Sequence, residues 1–231
     1  MKTKLTVDRK LFFEVFGYSL LLFLIIVVLS NGITLISEFL ASKLSVETES
    51  SVAFALFMFF FLTGAFFFLA FWAYSFIENT IWSRIMKKKT EKTLKFFLLN
   101  AVMVPIVVVL VFLFSWLFAV KLAVPVVSAV LFFTASFICG YLLYFSYAAF
   151  TAERKIGKTL KLTFTKGFKE IKNVYLILII AAVFAFVLDI FSFILAESPV
   201  WLSYSFDLIV LSAYAAWFQI VLGNALKSAK L

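Results

Sequence analysis

Residues 151–173 read TAERKIGKTLKLTFTKGFKEIKN, lie between two long apolar runs and carry seven Lys/Arg against two Glu. At the pitch of an α-helix, Ile156, Leu160, Phe164, Phe168 and Ile171 fall on one side. Lys155, Lys158, Lys161, Lys166, Lys169 and Lys172 fall on the other. A helix divided in this way lies flat in a membrane interface, apolar face down, with its lysines among anionic headgroups. The stretch therefore predicts a membrane protein with basic connections between apolar spans.

Composition agrees. The chain has 231 residues, 65% of them hydrophobic and 14% charged, far from the balance of a soluble domain. Its formal charge of +9 does not point to nucleic acid, because the charges sit between apolar runs, as membrane topology requires. The sequence contains no His, which excludes His-ligated zinc, His-ligated haem and Ser-His-Asp catalysis. Cys139 is the single cysteine and reads as a small buried apolar residue. Neither GxxxxGK[ST] nor GxGxxG occurs, and no acids pair in a two-metal or glycosidase arrangement. The expectation is a non-enzymatic protein with no catalytic set, metal or cofactor.

Runs of about twenty weakly charged residues recur, which is the mark of transmembrane helices. They predict an all-α integral membrane fold, one polytopic domain over 1–231, with spans near 11–30, 52–76, 96–120, 124–150, 174–196 and 208–226. The first run is too long for the apolar core of a cleaved leader, and the Ile33–Leu44 pattern leaves its helix room to extend beyond residue 30. The second holds ten Phe, suited to lipid contact and helix packing. Pro105 lies in the third and can kink it. Ala181 with Ala185, and Ser212 with Ala216, supply small pairs for close helix contact. Residues 42–51 and 197–207 read as outer connections.

Of 21 Lys/Arg, 19 fall within residues 1–10, 84–95, 151–173 and 227–231, leaving only Lys43 and Lys121 in the alternate connections. The positive-inside rule then puts both termini in the cytoplasm of a cell-membrane protein. Basic lead-ins near Lys10, Lys95 and Lys172, spaced 85 and 77 residues apart, each precede an apolar helix. They suggest three two-helix hairpin repeats.

Residues 146–180, SYAAFTAERKIGKTLKLTFTKGFKEIKNVYLILII, carry a family resemblance. A helix ending in small residues leads to an acid, a glycine and a basic amphipathic segment; Ala149, Glu153, Gly157, Leu160 and Lys169 fill those places. The run resembles a group of six-helix prokaryotic membrane proteins and is similar to the membrane domain found beside some glycerophosphodiester phosphodiesterases. That resemblance implies the fold. It does not imply the phosphodiesterase activity, because it touches none of that activity's residues.

Asp189 is the acid set deepest in an apolar run. It lies about 22 Å along the fifth span at about 1.5 Å per residue, and a charged Asp there costs roughly 3 kcal/mol unless it faces protein or water. Pairing with Lys121 or a place on a proton or cation path would each satisfy it. Glu14, Glu78 and Asp207 read as interfacial acids open to solvent, and Asn100, Gln219 and Asn224 as groups bonding between helices. The favoured function is a scaffold or partner subunit whose basic cytoplasmic face, Lys155 to Lys172, holds anionic lipid. The alternative is a small transporter, or the membrane subunit of one coupled to a soluble ATPase, with Asp189 and Asn100 on the path. On that alternative, flux into liposomes responds to Asp189→Asn.

Overall fold

The computed structural model describes residues 7–44, 49–90, 92–121, 125–195 and 200–228. They are helical almost throughout: α1 Arg9–Leu44, α2 Glu49–Ile85, α3 Thr93–Lys121, α4 Pro125–Glu153, α5 Ile156–Leu162, α6 Phe168–Leu195 and α7 Val200–Ser228. A π-helical turn, Thr163–Gly167, joins α5 to α6. Six segments are long and apolar enough to cross a membrane, so the chain is a polytopic membrane protein by helix length and hydropathy.

Local chemistry explains the helix ends. Asp8 caps α1, its Oδ1 accepting the Lys10 amide at 2.9 Å while its carbonyl accepts the Phe12 amide. At the end of α2, the Lys87 amide donates to the Arg84 carbonyl and the Lys88 amide to that of Ser83, with Lys87 at φ 53°. This is a Schellman close built on lysine instead of glycine. Arg154, at φ 57°, ends α4 in the same left-handed conformation.

The helices outrun the spans expected from sequence. α1 continues past residue 30 because its polar side chains bond to carbonyls one turn back and leave the backbone ladder whole. Asn31 donates to Val27 O, Thr34 to Ser30 O and Ser37 to Ile33 O. α2 likewise runs on to Ile85, and α7 starts at Val200, so residues 200–207 are helix and not an outer loop. Residues 45–48, 122–124 and 196–199, where the remaining outer connections were expected, lie outside the described residues.

α1 and α2, α3 and α4, and α6 and α7 pack as hairpins, and α1 also lies along α7. α2 reaches α3, α4 and α7 besides α1. The described core sits towards one end: Ser75 to Met86 around the end of α2, Phe96 to Met103 of α3, Ala135 to Thr151 of α4, and Ser212 to Leu226 of α7. That end carries Arg84, Lys87, Lys95, Arg154 and Lys227. Towards the other end Phe54, Phe57, Phe60, Phe61, Phe112 and Phe193 are exposed, as a lipid-facing surface requires.

Gly223 sets the closest approach at the packed end. A Cβ there would meet Ile85 Cγ2 at 2.3 Å, whereas one at Gly64 would meet nothing within 4 Å. Gly223→Ala is expected to cost about 1–3 kcal/mol through overpacking of a β-branched neighbour, and Gly64→Ala nearly nothing. Reversible unfolding in mixed micelles measures both, and equal effects would contradict the packing described.

Candidate functional site

One face of α2 carries the polar chemistry of the bundle. Ser75, Glu78 and Trp82, spaced three and four residues apart, share that face and are all buried. Ser75 donates to the Phe71 carbonyl at 2.8 Å and accepts Asn100 Nδ2 of α3 at 2.9 Å. Tyr74 and Tyr147 of α4 join hydroxyl to hydroxyl at 3.0 Å. Glu78 accepts Gln219 Nε2 of α7 at Oε1 and Trp82 Nε1 at Oε2, both at 3.0 Å. Through these side chains α2 is tied to three other helices.

Glu78 is the unusual member, with 2% of its surface exposed. The sequence reading of an interfacial acid open to solvent is therefore corrected. Its position, seven residues before the basic end of α2, suggested access to water. The core instead closes over it, with the Trp82 and Tyr144 ring centroids 5.7 Å apart and those of Tyr144 and Tyr147 6.1 Å apart. Two N–H donors offset part of the desolvation cost, and among the described residues no lysine or arginine pairs with it. Gln219 Oε1, Asn100 Oδ1 and Ser83 Oγ are buried in the same region without hydrogen-bond partners.

The other two interfacial acids behave closer to expectation. Glu14 is half-buried, and Asp207 is half-buried while accepting Ser192 Oγ across α6 and α7 at 2.6 Å. Asn100 and Gln219 bond between helices as their sequence positions suggested, and Asn224 is half-buried. Tyr214 donates to the Ala181 carbonyl at 2.9 Å, beside the buried Ser212 and Ala216. Asp189 lies on α6, but its side chain and that of Lys121 lie outside those described.

The basic connector does not stand apart as a helix of its own. α5, the π turn and α6 form one rod that meets α4 at Gly167 and α7 at Ala181. Its buried face is small and polar: Thr159, Thr163 and Gly167, with Ile156, Leu160 and Ile171 packed at its margins. Thr163 donates to the Thr159 carbonyl and Thr165 to the Lys161 carbonyl, competing with the backbone ladder where the turn widens. The Gly167 carbonyl accepts the Tyr141 hydroxyl at 3.0 Å, and a Cβ on Gly167 would press on Leu142 at 3.3 Å. Phe164 and Phe168, expected on the face turned to the membrane, are 39% and 50% exposed, whereas Ile156, Leu160 and Ile171 of the same expected face are taken into the packing.

Lys155, Lys158, Lys161, Lys166, Lys169 and Lys172 are all exposed. Lys158 pairs with Glu153 across the α4–α5 corner. Among the described residues, no three His, Cys, Asp or Glu gather closely enough to hold a metal. No family model, curated protein or solved structure matches the chain.

The Glu78 contacts make a specific expectation for Trp82→Phe. The ring still fills its place, but Glu78 Oε2 loses its donor. Leaving that buried acceptor unpaired costs about 1–3 kcal/mol. Unfolding free energy unchanged within about 0.5 kcal/mol would contradict the role given to the Trp82 N–H.

Proposed function

We propose that this protein is a non-enzymatic membrane scaffold or partner subunit whose basic surface binds anionic lipid headgroups. The observation that carries the reading is the division of labour around the α5–α6 rod. Its Thr159, Thr163 and Gly167 face is spent on α4, so packing uses none of the six lysines. Phe164 and Phe168 are exposed on the same rod and suit the boundary between headgroups and acyl chains. Of these lysines, Lys158 pairs with Glu153. The concentration of basic residues in alternate connections supports a cytoplasmic position for this surface.

Each lysine near an anionic bilayer surface contributes roughly 1 kcal/mol, screened by salt. Replacing Lys161, Lys166 and Lys169 together by Gln is expected to lower retention of phosphatidylserine or phosphatidylglycerol more than tenfold. Retention of phosphatidylcholine should not change. Native mass spectrometry of the protein released from nanodiscs reads both. Anionic lipid held equally by the wild-type and triply substituted proteins would refute the proposal.

A further inference from the structure

We propose that Glu78 is a proton-binding site, and that proton uptake turns over the Gln219 amide tying α7 to α2. The inference uses none of the lysines of the lipid surface and stands apart from that reading.

It begins with hydrogen-bond accounting. As arranged, both Glu78 oxygens accept, one from Trp82 Nε1 and one from Gln219 Nε2. That is the arrangement of an ionised carboxylate. It leaves Gln219 Oε1, on a side chain 2% exposed, buried without a donor. The titratable side chains acting with Glu78 are Tyr74 on its own helix and Tyr144 and Tyr147 on α4. α7 presents the uncharged Gln219, and among the described residues α1 and α3 add no charged group to its surroundings. The negative charge therefore has donors but no counter-charge.

A single proton removes both defects. Added to the Glu78 carboxyl, it supplies an O–H, and a half-turn of the amide brings Gln219 Oε1 round to accept it. Trp82 goes on donating to Glu78. One proton is gained, the Nε2–H to carboxylate bond is exchanged for O–H to amide oxygen, and no other bond changes. Trp82 offers only a donor, whereas an amide offers a donor and an acceptor. Gln219 is thus the member of the cluster able to serve both states of the acid.

Infrared difference spectra of the full chain in lipid nanodiscs, stepped through pH, test this. The wild type should show a protonated-carboxyl carbonyl band that grows as pH falls. The band should be lost in Glu78→Gln and kept in Glu14→Gln. Gln219→Met should retain it at a shifted frequency, which keeps the test informative if Glu78→Gln does not assemble. Identical spectra for wild type and Glu78→Gln, an unmoved band in Gln219→Met, or a band that follows sodium at fixed pH would each overturn the proposal.

Discussion

A carboxylate buried where helices meet must be given hydrogen-bond donors, and in this protein those donors decide which helices stand together. Glu78 receives one from its own helix, Trp82, and one from α7, Gln219. Apolar side chains lose little by leaving a neighbouring helix for lipid, so hydrophobic burial alone gives a membrane bundle weak direction. Polar contacts worth about 1 kcal/mol each, and close approaches at small residues, supply what it lacks. Gly223 lets α7 come against Ile85 and Trp82, which brings Gln219 within reach of Glu78. Asn100 and Tyr147 then add α3 and α4 to the same face of α2.

The same economy shapes the α5–α6 rod. A regular helix through residues 156–171 would gather Ile156, Leu160, Phe164 and Phe168 on one stripe. The chain instead packs through Thr159, Thr163 and Gly167, small enough to sit close to α4, and widens into a π turn where threonine hydroxyls take backbone carbonyls. Tyr141 fixes the turn from the neighbouring helix through the Gly167 carbonyl. Single π turns inside helices often mark functional sites. Here the packing leaves two phenylalanines and six lysines exposed.

The helical class and the six spans were legible because lipid imposes them on every residue: length, low charge and basic ends follow from the bilayer. The extension of α1 to Leu44 was legible in the Ile33–Leu44 pattern but its boundary was not, since Ser and Asn read as loop formers until their hydroxyls and amides are seen bonding back along the helix. Glu78 was misjudged for a related reason. Distance along a helix from its basic end says nothing about which neighbour covers it, and Trp82, Tyr144 and Gln219 come from positions up to 141 residues away. The one visible signal was the three-and-four spacing of Ser75, Glu78 and Trp82 ahead of a basic end. Ile156, Leu160 and Ile171, expected on the membrane face with Phe164 and Phe168, pack at the margin of the core instead, because the sequence pattern assumes a constant pitch, which the π turn breaks.

The central claim is that the Glu78–Gln219 contact holds α2 against α7. A double-mutant cycle with Glu78→Met and Gln219→Met, read by reversible unfolding in mixed micelles, tests it most directly. The account predicts that the double substitution costs less than the sum of the single ones, by about 1 kcal/mol or more, because each single change strands the other buried group. Strict additivity would show that the two side chains do not depend on one another and would contradict it.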